Sequence, residues 1–174
     1  PTSGIYTLQT CGLTAVDTKV AIYDYDGTCS GTVLACNDDS CGSLQTSVTW
    51  NTIAGNIYII RLGTYPGAIG GTGQFDLSEK VPALNPNNGN RYLLVQSSLS
   101  GIDADTAAQS YTYNGSQGHL VTFADQAEVD WVVANMGASR PWIGLFHDTT
   151  SPNYSEPAGG WAWVTGEPTN YLNW

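Results

Sequence analysis

The chain has 174 residues, with 15 acidic and 5 basic side chains and a net charge of −10. Such a surface repels phosphate backbones and anionic lipid headgroups, which argues against nucleic acid as a partner. No apolar run approaches the ~18 residues of a membrane-spanning helix, so membrane insertion is not expected either.

Low charge content with abundant Gly, Ser, Thr, Asn and Tyr suits an extracellular β protein rich in turns. The chain starts at Pro1 rather than Met, which reads as a processed end or the start of a fragment. Gly4-Ile5-Tyr6-Thr7-Leu8-Gln9-Thr10 alternates apolar and polar side chains, as a half-buried strand does. Val20-Ala21-Ile22-Tyr23 and Thr32-Val33-Leu34-Ala35 are short β-prone runs, and Ser47-Val48-Thr49-Trp50 alternates again. Ile57 to Leu62 is a longer apolar strand expected at the centre of a sheet, and Gly73 to Ser78 closes the set. Turn signals at Asp26-Gly27, Asn37-Asp38-Asp39, Ala54-Gly55-Asn56 and Pro66-Gly67 separate these runs. The pattern predicts a β-sandwich over residues 1–78.

All four cysteines fall in this half: Cys11, Cys29, Cys36 and Cys41. An even count in a secretory setting favours two disulfides. A zinc site is disfavoured because paired C-x2-C knuckles and a nearby His are both lacking. Of the three pairings that four cysteines allow, Cys29–Cys36 closing a hairpin and Cys11–Cys41 tying it down are preferred. Asp24, Asp26, Asn37, Asp38 and Asp39 place hard oxygen donors on two neighbouring loops, with Asp17 able to approach. Calcium accepts irregular loops and takes about six to eight oxygens, so it is the cofactor these residues suit. The alternative is that they are turn formers bonding their own backbone. Asp24-Tyr25-Asp26-Gly27 is not an EF-hand, because no Glu stands at the twelfth position.

The ordered set Thr10-Cys11-Gly12, Asp17-Thr18, Val20 to Tyr23, Cys36-Asn37-Asp38-Asp39, Cys41-Gly42, Ala54-Gly55 and Tyr58 to Gly63 resembles the bacterial pre-peptidase C-terminal module. The resemblance covers nearly all of residues 4–78. It implies an all-β jelly-roll sandwich that accompanies secreted proteins and is itself not catalytic.

Glu79 to Asn90 has two prolines, four asparagines and no periodicity, which predicts a fairly extended linker over 79–90. Residues 91–174 then change character. Arg91 to Val95 reads as a strand. Ala104, Ala107, Ala108 and Tyr111 share one helix face, with Ser100 and Asp103 as a capping box and Asn114-Gly115 as the stop. In a second helix Asp125 is the N-cap and Glu128 its partner. Val129, Val132, Val133 and Met136 form the buried stripe, and Gly137 ends it. Trp142 to Phe146 reads as a strand, followed by a long Gly/Pro/Asn-rich loop.

Gly118-His119-Leu120, then Trp142-Ile143-Gly144-Leu145, then Trp161-Ala162-Trp163 resemble, in order and spacing, the first two-thirds of a C-type lectin-like domain. The resemblance implies an α+β fold over 91–174, incomplete at its C-terminus, with Glu156 to Trp163 leading into the ligand loop. In that family the calcium- and sugar-binding Glu-Pro-Asn and Trp-Asn-Asp elements come just beyond this point. Two departures matter. No cysteine follows Cys41, and Glu156-Pro157-Ala158 and Glu167-Pro168-Thr169 lack the Asn of the sugar motif. The calcium and sugar roles are therefore not carried onto them, and no ligand-binding residue is assigned.

His119 fits the family's structural Gly-His-Leu and is expected in the core; His147 is expected to be exposed. No Gly-x-Ser-x-Gly or His-Glu-x-x-His motif occurs, so no enzyme is expected. Trp142, Trp161, Trp163 and Trp174, with Tyr154 and Tyr171, suit either sugar stacking or core packing. Packing is favoured because both rings of Trp-x-Trp on a strand point one way. Asn114-Gly115-Ser116 and Asn153-Tyr154-Ser155 match the N-glycosylation acceptor pattern. The function expected is a secreted or cell-surface adhesion or recognition protein with a glycan or protein ligand. The alternatives are a structural subunit assembled by strand addition and a non-catalytic fragment of a larger secreted hydrolase.

Overall fold

The structure is a computed structural model, described here for residues 3–28, 30–42, 44–97, 99–137 and 140–172. Its chain divides into two compact units. The first comprises Pro1–Val81 with Val95–Ser98 and Thr112–Gly115; the second comprises Pro82–Leu94, Leu99–Tyr111 and Ser116–Trp174.

The first unit is built on β1 (Gly4–Gln9), β2 (Thr18–Asp24), β3 (Val33–Asn37), β4 (Ser47–Thr52), β5 (Tyr58–Thr64) and β6 (Asp76–Glu79). These form two three-stranded antiparallel sheets of order β4-β1-β6 and β3-β2-β5. Register sets Leu8 opposite Val48, and Val20 and Ile22 opposite Leu62 and Ile60. Because strand side chains alternate faces, one face of each sheet is apolar. Leu8, Val48 and Trp50 from one sheet meet Val20 and Ile22 from the other in a single buried cluster. Burial of this kind is the main stabilising term, about 1.5–3 kcal/mol for each large apolar side chain.

Two expectations fail here. The run 57–62 is not central: among the described residues β5 pairs only with β2. Ile60 and Leu62 sit beside buried partners yet remain 38% and 44% exposed, because no strand covers their outer flank. The closing strand begins at Asp76 rather than Gly73, leaving Phe75 exposed.

The stretch expected to be an extended linker is instead a tight hairpin. β7 (Ala83–Leu84) pairs with β8 (Arg91–Tyr92). Asn85 N–H donates to Asn90 O at 2.8 Å, and Gly89 N–H donates to Asn85 O at 2.9 Å. The asparagines that looked like linker composition close the turn with their side chains: Asn87 N–H and Asn90 N–H donate to Asn85 Oδ1 and Asn88 Oδ1.

Helix α1 (Gly101–Ser110) starts as expected, with Asp103 N–H donating to Ser100 Oγ at 3.2 Å. It ends early. Tyr111 turns extended, and Asn114 (φ 50°) and Gly115 (φ 81°) instead make the two-residue turn between β9 (Thr112–Tyr113) and β10 (Ser116–Gln117). Asn-Gly suits that turn because both positions need positive φ.

Helix α2 (Gln126–Met136) has Asp125 as its N-cap, accepting from Glu128 N–H at 2.9 Å, and Gly137 at φ 62° as its stop. Its inward face keeps Val129, Val132 and Met136 of the expected stripe but not Val133. Glu128 and Val132 are buried, whereas Val133 is 62% exposed. The face is centred on Glu128, and Val133 lies about 100° round the helix from Val132. Glu128, only 5% exposed, is satisfied by the hairpin. Its Oε1 accepts from Asn88 Nδ2 at 3.0 Å, Asn90 Nδ2 at 3.2 Å and the Tyr92 hydroxyl, and Oε2 accepts from Ala124 N–H at 2.8 Å. Burial first, and then the bond to Glu128, raise the pKa of the Tyr92 hydroxyl.

The last elements are β11 (Leu145–His147) and β12 (Trp161–Trp163), an antiparallel pair. The expected strand at Trp142 starts three residues later; Trp142 is exposed, and its ring N–H donates to Leu99 O at 2.8 Å. Gly144 lets the ladder close. It donates to Val121 O and accepts from Val164 N–H, both at 2.8 Å, and a Cβ there would lie 2.7 Å from Val164 Cγ2. Among the described residues, no helix is long and apolar enough to cross a membrane.

Candidate functional site

Each unit brings one set of chemically capable side chains together. In the first unit, Asp17 precedes β2, while Asp38 and Asp39 follow β3. Antiparallel pairing of those strands sets the two ends side by side, with one carboxylate oxygen from each residue within 4.8 Å of the others. Lys19 Nζ lies 3.3 Å from Asp38 Oδ2 and offsets part of the charge. Asp17 Oδ1 and Asp38 Oδ1 are enclosed and accept no hydrogen bond. The Asp17 carboxyl is held above the ordinary carboxylate range, by lost hydration first and then by the charges of Asp39 and Asp38.

The other candidate ligands are placed differently. Asp24 and Asp26 do not join this group. Asp26 Oδ1 accepts from Thr28 N–H at 2.9 Å and Thr28 Oγ1 at 2.6 Å, and these bonds lower its pKa. Asn37 commits its amide to Ser47 O and Gln96 O, and its Oδ1 to Asp38 N–H. Of the cysteines, Cys11 and Cys41 are joined, with Cα atoms 5.5 Å apart. The Cys36 thiol is free and exposed. The expected pairing with Cys29 lies outside the described residues.

In the second unit the focus is the loop 148–160 between β11 and β12. Register sets His147 opposite Trp161 and Leu145 opposite Trp163, so both tryptophans do share a face. Their fates differ. Trp163 is buried and meets Phe123 edge-on at 6.3 Å, whereas Trp161 stacks flat on His147, with centroids 4.7 Å and planes 11° apart. The Tyr154 ring also meets His147 at 4.7 Å. Tyr154 donates its hydroxyl to Glu156 Oε1 at 2.6 Å, which raises the Tyr154 pKa. His147 Nε2 is 2.6 Å from Gly159 O, and Nδ1 is 3.6 Å from Glu156 Oε1.

The loop closes on itself through Asp148 N–H to Gly160 O at 2.8 Å and Gly159 N–H to Ser155 O at 2.6 Å. Gly159 is required there, because a Cβ would stand 2.4 Å from Asn153 O. Asp148 accepts from Thr150 N–H and Thr150 Oγ1, which lowers its pKa.

The two histidines thus exchange their expected places. His119 is exposed, with Nδ1 2.8 Å from Leu120 O, and His147 is half-buried among aromatic rings. The signal for His147 was present in Trp161-x-Trp163, but it needed the β11–β12 register to be read. Tyr171 donates to Gln126 Oε1 at 2.6 Å, away from this stack, and Trp174 lies outside the described residues.

With this geometry in place, comparison with known proteins narrows the class. Over 88 residues the chain is 35% identical to mouse regenerating islet-derived protein 3-gamma, and over 88 residues 35% identical to bovine lithostathine. Each match covers 48% of this chain and 47% of the relative. These are C-type lectin-like proteins, and the matches support a C-type lectin-like segment over about half of the chain. A 90-residue stretch is 30% identical to halomucin of Haloquadratum walsbyi, covering 52% of this chain and 1% of that protein. The chain spans about half the length of the regenerating islet-derived and lithostathine relatives. No protein-family model and no solved structure matches the chain.

Proposed function

We propose that this chain is a secreted or cell-surface recognition protein without catalytic activity, and that its lectin-like half takes a glycan at the loop 148–160. The observation that carries this reading is the Tyr154–His147–Trp161 stack with Glu156 at its edge. Aromatic rings with polar tips suit sugars, which offer C–H faces to the rings and hydroxyls to the tips and to carboxylates. A net charge of −10 disfavours sulfated or sialylated glycans, so neutral saccharides are the favoured class. The first unit, with its paired sheets and single apolar cluster, suits the jelly-roll reading of residues 4–78. It serves as a non-catalytic companion module.

The test is tryptophan fluorescence of the intact chain, titrated with a panel of neutral and acidic oligosaccharides. A saturable change with a neutral saccharide, weakened about tenfold or more by Tyr154→Ala, is expected. A flat response across the panel would remove the reading.

A second role is favoured by the enclosed, unpartnered oxygens of Asp17 and Asp38. A divalent cation would give those oxygens the partner they lack and relieve the repulsion among Asp17, Asp38 and Asp39. The hard, all-oxygen donor set suits calcium. Its function there would be to fasten the β2 and β3 ends of the first unit rather than to hold a sugar.

A further inference from the structure

His147 ends β11 and its ring meets an acceptor on both sides. Nε2 is 2.6 Å from the Gly159 carbonyl oxygen, and Nδ1 is 3.6 Å from Glu156 Oε1. A carbonyl oxygen has no proton to give, so the first contact needs the ring proton on Nε2. In a neutral ring this leaves the Nδ1 lone pair turned toward a carboxylate. A second proton, on Nδ1, replaces that repulsion with an ion pair and leaves the Gly159 bond intact.

Two aromatic side chains flank the ring. Trp161 from β12 and Tyr154 from the loop lie against it at 4.7 Å, and aromatic faces attract a cation. Asp148, the next residue, spends its carboxylate on Thr150 N–H and Thr150 Oγ1. Glu156 Oε1 also accepts the Tyr154 hydroxyl, so one carboxylate ties both rings.

We propose that His147 is a proton-operated clasp on the loop 148–160. The protonated imidazole bridges Glu156 and the Gly159 carbonyl and holds Tyr154 and Trp161 in their stack. Loss of the Nδ1 proton loosens the loop. As regulation of ligand capture, favouring mildly acidic surroundings, this rests on the loop being the ligand site; the clasp itself does not.

The test is amide hydrogen exchange of the intact, unliganded chain, corrected for intrinsic rates, from about pH 8 to about pH 5, the span in which histidines change charge. Protection at Asp148, Tyr154 and Gly159 is expected to rise up to about fivefold as pH falls, the scale of a partly exposed ion pair. Amides of β2 serve as an internal reference. His147→Phe keeps the stacking without the nitrogens, and Glu156→Gln keeps an acceptor for Tyr154 without the charge. Both should flatten the profile. A flat wild-type profile, or a wild-type profile in either variant, overturns the clasp. A loop that tightens in acid yet binds no saccharide sinks the ligand reading alone. A pH-independent loop that binds saccharide sinks the clasp alone.

Discussion

The two units reach order by different means. Among the described residues, the first unit buries Ile5, Leu8, Val20, Ile22, Val48 and Trp50, whereas the second buries only Val132 and Trp163 among its large apolar side chains. Both units bury polar side chains: the first buries threonines such as Thr10 and Thr18, bonded to each other at 2.7 Å, and the second buries Asn85 and the Glu128 carboxylate, through which side-chain hydrogen bonds run. The first unit, with its larger apolar cluster, is therefore held chiefly by non-directional burial. The second is held by a directional network, in which one absent acceptor strands several donors. The glycan role proposed for the loop 148–160 suits the second kind of scaffold, because a network fixes backbone position without a large core.

That contrast can be broken from either side. Leu8 is fully buried at the centre of the apolar cluster. Leu8→Ala should cost the first unit about 4 kcal/mol through lost transfer energy and the cavity left behind. Amide exchange on the intact chain should show that loss in β1, β2 and β4, with α2 and the β7–β8 hairpin unchanged. Glu128→Leu keeps the volume and removes the acceptor. It should cost the second unit about 3 kcal/mol, because Asn88, Asn90, Tyr92 and Ala124 would lose the partner of their donors. Exchange would then rise in the hairpin and the first turn of α2, and not in the two three-stranded sheets of the first unit. If Glu128→Leu is neutral, the second unit is held by apolar contacts after all and the contrast is lost.

What the sequence made legible follows the same division. Alternation in Gly4 to Thr10 and Ser47 to Trp50 marked strands, β1 and β4, that do carry the core, because period two reports a buried face directly. The N-caps at Ser100 and Asp125 were legible because a cap acts within three residues of its partner. The edge position of β5 was not. Apolar content shows that a strand wants burial and says nothing of how many neighbours the sheet provides. Nor was the hairpin at 83–92. Its asparagines look like loop composition until Glu128, tens of residues away, gives them an acceptor. His147 was hidden for the same reason: its stacking partners lie 7 and 14 residues further on, and only the β11–β12 register joins them.

The smallest expected effect is the most discriminating, because its sign depends on a cation. The Asp17 carboxyl is raised by lost hydration and by Asp39 and Asp38. An acid whose pKa is higher folded than unfolded binds its proton more readily in the fold, so its contribution to stability falls as pH rises through that range. In chelator, Asp17→Asn should therefore raise the melting temperature at neutral pH, and by less at acidic pH as the wild-type carboxyl takes up its proton. With calcium the direction reverses. The ion binds ionised carboxylates in the folded state only, so wild-type stability rises with calcium and with pH, and Asp17→Asn lowers it. Thermal melts of both chains, with calcium and with chelator at the two pH values, separate the cases. A crossover in the sign of the Asn effect assigns the three aspartates to a cation. The same sign in both media leaves them as turn residues that bear mutual repulsion for the sake of the β2 and β3 ends.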